Sequence, residues 1–384
     1  WFFSARNALG AGLFAERVVV PQVFVRTGGG AYVSVSRLIG GDASLTLGYR
    51  PELTRLESDG DIIFCVNFVA CEQSDIGVLR DPHWLAPISA AFIRDRTNSL
   101  FSPTRGFRLR GEAELATALT GSEFAYARFL AEASAYRVLA PGVVLAARLA
   151  AGGARAMGEP GAGLGLHPQK RFYSGGANSV RGVAQYRLGP RLLTVSAAGD
   201  NAEGTLVRPI EDVWDGCTAQ VVNAGTCDAA QLAQNSRDAF DVRPVGGAAL
   251  LEGNLELRFP IWGENLRGAA FVDAGEIWSE GADIRPSGLA VTPGLGVRYF
   301  SPVGPIRIDV GYYGRGGETL DVFTTEVCVR STLDGCDPIE EDVVYSPEEL
   351  DNTGRLVQLP SVRWDPYDSF FDRLQLHFSI GQAF

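Results

Sequence analysis

The sequence predicts an all-β fold, a transmembrane antiparallel up-and-down β-barrel. Apolar and polar residues alternate along many segments, these segments are often ten or more residues long, and tight turns alternate with long connections. Strands of soluble proteins average about five or six residues, so segments of this length are unusual for a soluble fold. About twelve strands are legible, at residues 11–27, 29–38, 43–56, 83–96, 106–119, 123–140, 142–157, 246–260, 267–278, 290–301, 305–315 and 370–384.

The alternation is clear in residues 250–259, LLEGNLELRF. Leucine, glycine and phenylalanine fall on one face of this segment, and glutamate, asparagine and arginine fall on the other. Residues 106–115, 306–313 and 374–384 alternate in the same way. Because successive side chains of a strand point to opposite faces, each segment is expected to be a strand. A soluble sandwich would bury the apolar faces, whereas a membrane barrel would turn them toward lipid.

The connections and the aromatic residues favour the barrel over the sandwich. Every second connection is tight, and short turns on one rim with long loops on the other are typical of outer-membrane barrels. Aromatic residues also lie near strand ends, where membrane interfaces would place them. The long connections are residues 57–82, 158–245, 279–289 and 316–369, and the aromatic residues are Phe107, Tyr299, Tyr312 and Phe384.

The composition argues against nucleic-acid binding and against a membrane-spanning helix. The chain of 384 residues has a net charge of -11, which argues against nucleic acid, whose binding surfaces need clustered Lys and Arg. No run of about 18 apolar residues is present, which excludes a membrane-spanning helix. The first residues, WFFSARNALGAG, lack the basic start and apolar core of a signal peptide and are expected to be the tail of a strand and its turn.

Six cysteines form three close pairs, each inside one long connection. If the strands alternate in direction, the three connections share one rim, and paired cysteines indicate an oxidising compartment. Zinc binding is the alternative, but no pair has the CxxC spacing and none of the three histidines is near a pair. We expect local disulfides, no metal and no cofactor. The pairs are Cys65 with Cys71, Cys217 with Cys227, and Cys328 with Cys336.

Residues 171–182, RFYSGGANSVRG, form a glycine-rich segment that contains Arg181. A phosphate-binding loop would continue with Lys, then Ser or Thr, and a helix, but VAQYRLGP follows Gly182. An exposed glycine loop with a solvated Arg181 is the simplest alternative. The chain also lacks GxSxG and HExxH motifs, so the sequence does not predict an enzyme.

The last long connection is strongly acidic. Between Glu318 and Asp351, eleven Asp and Glu residues stand against one basic residue, Arg330. Blocks of like charge repel and remain solvated, so a surface loop is expected here. Binding of a divalent cation or of a basic partner is a less favoured alternative.

Several motifs together resemble the BamA/TamA-type outer-membrane assembly barrels, a superfamily that also includes two-partner secretion transporters. RFYSGGANSVRG looks like the signature loop of that family, and residues 94–107, RDRTNSLFSPTRGF, are similar to its strand–turn–strand before the middle of the barrel. Residues 267–278 and 301–313 resemble its late strands, and the C-terminal LHFSIGQAF resembles its terminal assembly signal. The resemblance covers the whole chain.

The resemblance implies a sixteen-stranded barrel in the bacterial outer membrane, with periplasmic POTRA domains ahead of it. Residues 1–384 would be one barrel domain, partial because the first few strands and the POTRA domains lie outside this sequence. The C-terminus would lie on the periplasmic rim. The implied partners are outer-membrane lipids, unfolded outer-membrane protein clients, and accessory lipoproteins or other complex subunits.

In that family the long sixth loop, here residues 158–245, folds back into the lumen, and its arginine contacts acidic residues of the inner wall. By motif position the arginine is Arg181, and its partners are Glu256 and Asp273. Val183 departs from the family, which usually has Phe or Tyr there, and this removes an aromatic contact. The functional loop motif implied by the resemblance comprises Tyr173, Gly175, Gly176, Val180, Arg181 and Gly182.

The implied function is a machine that inserts or exports β-rich outer-membrane proteins through a lateral seam. If the first and last strands pair poorly, the open seam offers an edge to an incoming strand. The last strand is predicted at 370–384, where Gly381 would allow an inward kink before the aromatic Phe384. The alternatives are a two-partner-secretion-type translocation pore and a passive structural barrel or porin.

Overall fold

The computed structural model describes most of the chain, and strands dominate it. The described residues are 6–57, 62–68, 73–157, 166–195, 217–235, 240–263, 265–280, 284–285, 288–301, 304–330, 336–340, 343, 349–381 and 384. The strands are β1 (Asn7–Val20), β2 (Phe24–Ile39), β3 (Ala43–Tyr49), β4 (Glu52–Glu57), β5 (His83–Leu85), β6 (Ile88–Asp95), β7 (Gly106–Ala116), β8 (Tyr126–Ala140), β9 (Val143–Ala156), β10 (Arg191–Val195), β11 (Phe240–Pro244), β12 (Ala249–Trp262), β13 (Leu266–Trp278), β14 (Ala290–Ser301), β15 (Gly304–Tyr312), β16 (Glu318–Arg330), β17 (Cys336–Asp337), β18 (Leu350–Trp364) and β19 (Leu374–Ile380).

The helices of the described residues are short. The α-helices are α1 (Ile62–Phe68), α2 (Gln73–Arg80), α3 (Ala219–Asn223) and α4 (Ala229–Asn235). Single 3-10 turns occur at Ala118–Thr120, Pro168–Lys170 and Phe371–Arg373. None of the helices in the described ranges is long and apolar enough to cross a bilayer.

The main sheet is the wall of the molecule. It joins fourteen strands in the order β19-β15-β14-β13-β12-β9-β8-β7-β6-β3-β2-β4-β5, with β1 on β2. β3 and β4 continue one another along β2, and β5 and β6 continue one another beside them, so the fourteen strands make twelve crossings of the wall. Successive crossings are antiparallel neighbours. This confirms the predicted all-β, up-and-down architecture.

Two prolines interrupt neighbouring crossings at adjacent positions. Pro51 separates β3 from β4, and Pro87 separates β5 from β6. Proline has no N–H to donate to the ladder, so the strand is broken there. Their carbonyls still accept bonds, from the N–H of Ala31 at 3.1 Å and from the N–H of Arg50 at 3.2 Å. Gly30 makes room for the first break, because a Cβ there would lie 2.1 Å from the Pro51 oxygen.

The two faces of the wall differ as a membrane barrel requires. On β12, Glu256 is 0% exposed, whereas the adjacent Leu255 is 50% exposed. The polar face is therefore the inner, lumenal face, and the apolar face points outward. No second sheet covers the outward side chains in the described part of the chain, which rules out the sandwich. Outward, exposed side chains include Leu13, Leu47, Phe129, Leu149, Val272, Leu295 and Phe378.

The connections separate into two rims, as predicted. One rim, here called the short-turn rim, is where the chain passes from β2 to β3, β6 to β7, β8 to β9, β12 to β13 and β14 to β15. The other, the long-loop rim, is where it passes from β1 to β2, β4 to β5, β7 to β8, β9 to β12, β13 to β14 and β15 to β19.

The predicted first turn was wrong. The sequence pattern placed it at Gly28, between strands 11–27 and 29–38, and made WFFSARNALGAG the tail of a strand with its turn. Instead β1 already runs from Asn7, the turn lies at residues 21–23, and Gly28 is inside β2.

A second sheet stands at the long-loop rim. It contains β10, β11, β16, β17 and β18 and is here called the cap sheet. Its strands come from two distant connections, joined by the parallel pairing of β10 with β16. Its apolar core is shared with α3 and α4. The buried core residues include Leu193, Val222, Phe240, Val322, Leu359 and Trp364.

The cap sheet corrects the expectation of a solvated acidic loop between Glu318 and Asp351. β16 and β18 form an antiparallel pair across most of their length. Leu320 and Val322 are buried and alternate with exposed Asp321, which is the period of a strand with one covered face. The apolar positions therefore determine that a strand forms here, although the segment is acidic.

Two of the expected disulfides are confirmed, both at the cap sheet. Cys217 pairs with Cys227 and Cys328 pairs with Cys336, with Cα–Cα distances of 5.5 and 5.4 Å. Cys65 is also disulfide-bonded. Its predicted partner, Cys71, lies outside the described residues.

Candidate lumen anchor of the sixth loop

The sixth loop connects β9 to β12, and its described parts divide between the lumen and the cap sheet. Residues 191–195 and 240–244 are β10 and β11 of the cap sheet, so the predicted region 158–245 does not enter the lumen as a whole. Residues 166–190 double back on the wall. Phe172 forms an antiparallel bridge with Gly247, and Ser174 forms another with Leu188.

Glycines give this segment its turns and its close approach to the wall. Gly175 and Gly176 have φ of 103° and 100°, in the left-handed region that favours glycine. Gly182 allows contact instead: its N–H donates to the Thr292 hydroxyl at 3.3 Å, and a Cβ there would lie 2.4 Å from the Thr292 Cβ. The loop tip therefore lies directly against β14.

Arg181 is fully buried at this tip and binds Asp273 of β13. Its Nε donates to Asp273 Oδ2 at 2.7 Å, its Nη2 donates to Oδ1 at 2.9 Å, and its backbone N–H donates to Oδ2 at 3.0 Å. A two-point guanidinium–carboxylate pair is both strong and directional. The guanidinium carbon also lies 3.5 Å from the centroid of the Phe271 ring, a cation–π contact.

Two further wall strands supply carboxylates to the same arginine. Arg181 Nη1 donates to Glu256 of β12 and lies 3.6 Å from Asp309 Oδ2 on β15. All three carboxylates are 0% exposed. Arg181, Glu256, Asp273 and Asp309 are here called the lumen anchor, because one loop residue ties together three strands of the wall.

Three wall arginines offset the excess negative charge of the anchor. Four guanidinium groups therefore face three carboxylates, and each buried charge has at least one opposite partner. Removing one member would leave others buried without their partners. The contacts are Arg258 Nε to Glu256 Oε1 at 2.7 Å, Arg298 Nη2 to Glu256 Oε2 at 2.7 Å, Arg298 Nη1 to Asp309 Oδ1 at 2.9 Å, and Arg307 Nε to Asp309 Oδ2 at 3.2 Å.

Arg307 also links the loop to the last strand. Its Nη2 donates to the Ala177 carbonyl at 2.7 Å and to Asn178 Oδ1 at 2.8 Å, both in the sixth loop. Its Nε donates to the Ser379 hydroxyl on β19 at 2.8 Å. One side chain of β15 therefore contacts the anchor, the loop and the terminal strand.

Apolar contacts support the tip from the other side. Val180 and Val183 are buried together with Leu188, Ala290 and Tyr313. Val183 is only 3% exposed, so an aliphatic side chain occupies the position where the resemblance suggested that an aromatic contact is lost.

The base of the loop carries buried titratable groups. Tyr173 donates its hydroxyl to the Pro168 carbonyl at 3.2 Å, packs edge-on against Phe24, and has its pKa raised by burial. Burial lowers the pKa of His167 to about 3, and the nearby charge of Lys170 acts in the same direction. His167 is therefore neutral at physiological pH.

The terminal strand ends as a kink. β19 stops before Gly381, whose φ is 103° and whose N–H donates to the Pro305 carbonyl at 2.8 Å. Phe384 lies on the lumenal side, where its ring stacks on Tyr136 of β8 with centroids 6.5 Å apart. The Arg258 guanidinium lies 5.8 Å from the Phe384 ring, so the chain's last residue is next to the anchor network.

The sequence matches the Omp85 superfamily domain over residues 1–384. The chain belongs to the Omp85 superfamily. Among solved structures it is similar to BamA from Haemophilus ducreyi lacking POTRA domains 1–3, with 18% identity and a TM-score of 0.56. That match covers 82% of this chain and 57% of the BamA chain, so this chain spans little more than half the length of that structure. It also matches CdiB from Acinetobacter baumannii, with 14% identity and a TM-score of 0.39, over 80% of this chain and 43% of that one.

These findings confirm the predicted superfamily and its outer-membrane barrel fold. This Omp85 barrel also brings together the residues that the resemblance singled out, since Glu256 and Asp273 both contact Arg181. Within the described residues, no three His, Cys, Asp or Glu side chains are arranged as a metal site.

Part of the anchor of this Omp85 barrel was not predicted from the sequence. Neither Asp309 nor the wall arginines Arg258, Arg298 and Arg307 were predicted to be neighbours of Arg181. The alternation in residues 306–313 already puts Arg307 and Asp309 on the polar face. Alternation assigns a face but not a height along the barrel axis, and only the register of β13, β14 and β15 places these residues beside Arg181.

Proposed function

We propose that this barrel inserts β-rich client proteins into the bacterial outer membrane through a seam beside its last strand. The observation that carries the proposal is the short last strand, β19. This strand pairs with β15 over only the seven residues Leu374–Ile380. An exposed edge with free N–H and C=O groups is a template for an incoming strand.

The kink at Gly381 supports the same proposal. β19 ends at Ile380, and Phe384 lies in the lumen against Tyr136. The edge of β19 available for stable pairing is therefore short, and a short pairing is more readily exchanged for a client strand. The long-loop rim would face the cell exterior and the short-turn rim the periplasm, with the outward apolar face in the lipid.

The occupied lumen favours this function over a passive pore. Arg181 and its carboxylates hold the loop tip across β12, β13 and β15. A barrel that served only for diffusion would need an open passage at this height. Single-channel conductance of the full-length protein should be low for the wild type and higher for Arg181→Ala, and an equally high conductance for both would favour the porin.

Client insertion can be tested with the full-length protein in proteoliposomes. An unfolded outer-membrane β-barrel is added as the client. Its folding is followed by gel electrophoresis, because the folded client migrates differently from the unfolded one until the sample is heated. Gly381→Val should slow client folding about tenfold or more, because φ near +100° is unfavourable for a β-branched residue and the kink would be lost.

Gly263→Val is the matched control for this variant. Gly263 also has positive φ, 59°, lies in a turn of the same rim and would have no atom within 4 Å of an added Cβ, but it is remote from β19. Unchanged client folding with Gly381→Val would contradict the seam. Export of a soluble β-rich client across the bilayer, without insertion of barrel clients, would support the two-partner-secretion alternative.

A further inference from the structure

Outside the lumen, three neighbouring strands carry a short basic row near the long-loop rim. Arg17 of β1 lies opposite Thr27 of β2, and Thr27 lies opposite Arg55 of β4. All three residues are exposed. The adjacent Glu16 and Arg26 pair with each other on the lumenal side, so the alternation of the strands points Arg17 and Thr27 outward.

The two arginines are close enough to act on one ligand. Neighbouring strands are about 4.8 Å apart, so the backbones at Arg17 and Arg55 are about 10 Å apart, within reach of two long side chains that converge. Among the described residues, Arg17 has no ion-pair partner, and Arg55 pairs only with exposed Glu57 at 3.8 Å. An exposed pair at this distance contributes little stability and does not compete strongly with an anionic ligand.

The row lies at the height of a membrane boundary. Along β2 the outward positions run from Thr27 to Arg37, ten residues nearer the short-turn rim. With a rise of about 3.4 Å per residue and a tilt of about 40°, the two positions are about 26 Å apart along the barrel axis, close to the roughly 25 Å of an outer-membrane apolar band. The same spacing recurs elsewhere: exposed Arg137 lies opposite Leu145, ten residues before exposed Arg155 on β9.

The wall directly below the row is shallow. The next outward positions are Ala15 on β1 and Gly29 on β2, which lie opposite each other. On the β4 side they are followed by Leu53 of β4 and Trp84 of β5, which are 40% and 46% exposed. Small side chains beside larger apolar ones leave a low part of the surface over which a hydrocarbon chain can lie, with cations immediately above it.

We propose that Arg17, Thr27 and Arg55 bind the phosphate group of an anionic membrane lipid in the leaflet at the long-loop rim. One acyl chain of that lipid lies over Ala15 and Gly29. Guanidinium groups match phosphate oxygens in geometry and charge, and a hydroxyl adds a third donor. The site is on the outer face of the barrel and does not depend on the seam or on the proposed insertion of clients.

Trp84 provides a reporter beside the site. The full-length protein is placed in bilayers that contain lipids with brominated acyl chains, either anionic phosphatidylglycerol or zwitterionic phosphatidylcholine. The Trp84 signal is the difference in fluorescence between the wild type and Trp84→Phe. Brominated anionic lipid should quench this signal at lower mole fraction than the zwitterionic lipid does.

Removal of the arginines should abolish this preference. Near an anionic surface one arginine changes the local lipid preference roughly fivefold, so Arg17→Ser should lower the preference about fivefold, and Arg17→Ser with Arg55→Ser more than tenfold. Arg37→Ser is the matched control, because it removes an outward arginine of β2 at the opposite boundary and should leave Trp84 quenching unchanged. If the double variant does not fold, as judged by a gel mobility that changes on heating, each single variant tests the same lipid preference.

Three outcomes would overturn the proposal. Equal quenching of wild-type Trp84 by the two lipids would mean that no anionic lipid is selected, as expected if the row instead binds an acidic protein. A preference that persists in the double variant would place the lipid elsewhere. Loss of the preference on addition of inorganic phosphate at constant ionic strength would indicate a site for a free anion.

Discussion

The sixth loop is held in two places by opposite kinds of interaction. In the lumen its tip is fixed by charged groups, with Arg181 among three fully buried carboxylates. In the cap sheet its later part packs through apolar residues such as Leu193 and is closed by the Cys217–Cys227 disulfide. The difference follows from the wall: its apolar face is turned toward lipid, so its inner face offers mainly polar partners. Above the rim there is no such constraint, and an ordinary apolar core forms.

This contrast predicts that substitutions destabilise the two regions to different extents. The lumen anchor depends on every member of a charge network, so a single neutral substitution should have a large effect. The cap sheet depends on many small apolar contacts and on a covalent link, so its losses should be local and graded.

Arg181→Met should have the largest effect. It leaves Glu256, Asp273 and Asp309 without their shared cation, and breaking a buried ion pair in this way typically costs about 3–5 kcal/mol of unfolding free energy. The full-length protein should lose its folded gel mobility at a lower temperature, and protease should cut residues 166–190. Arg137→Met, which removes an exposed arginine from the outer face, is the control and should behave as wild type. A variant at Arg181 that resists heat and protease as well as this control would contradict the anchor.

Cys217→Ser with Cys227→Ser should loosen the cap sheet alone. The disulfide closes a short loop, with a sequence separation of 10, and its removal should cost about 2–3 kcal/mol. Protease should then cut residues 217–235 faster, while residues 166–190 stay protected by the lumen anchor. Simultaneous cutting of both segments would show that the two regions are one cooperative unit.

Gly311→Ala should displace the tip without removing any charge. A Cβ at Gly311 of β15 would lie 2.7 Å from the Arg181 carbonyl oxygen and 2.8 Å from the Gly182 Cα, and neither backbone atom can give way while the tip is seated. Overpacking of this kind costs about 1–3 kcal/mol. Protease accessibility of residues 166–190 should rise. Gly111→Ala on β7, where nothing lies within 4 Å of the added Cβ, should leave accessibility unchanged.

Acidification should have the smallest effect and should act at the base of the loop. The native pKa of His167 is about 3, below the value of about 6.5 for an unfolded histidine. Its contribution to stability is therefore complete above pH 6.5 and is lost progressively as the pH falls from 6.5 toward 3. At pH 5.5 the loss is about 1.4 kcal/mol. Melting of His167→Gln should depend less on pH in this range, and identical pH profiles for variant and wild type would contradict the assignment.

The sequence predicted the wall well because each strand carries its own two-residue period. β12 is an example, with buried Glu256 beside exposed Leu255. The turn at Gly28 was wrong because three consecutive glycines suggest a turn, whereas Gly30 makes room for the oxygen of Pro51. Period alone cannot reveal such a contact between strands.

The cap sheet was missed for a related reason. β10 and β11 are only five residues long, and β10 pairs with β16 from a connection more than a hundred residues away. No local pattern specifies such a pairing. The lumen anchor was predicted only as far as the motif resemblance reached, to Glu256 and Asp273, because the depth of Asp309 depends on register.

The order of strands in the wall has a consequence for the rate at which the molecule assembles. Most wall neighbours are joined by hairpins, which close in microseconds, but β9 meets β12 and β15 meets β19 only after very long connections have been closed. Because β10 pairs with β16, both closures share one sheet, and neither can finish independently of the other. Refolding followed separately at a hairpin and at the β10–β16 pair should therefore give a fast phase and a slow phase, and a single common phase would contradict this.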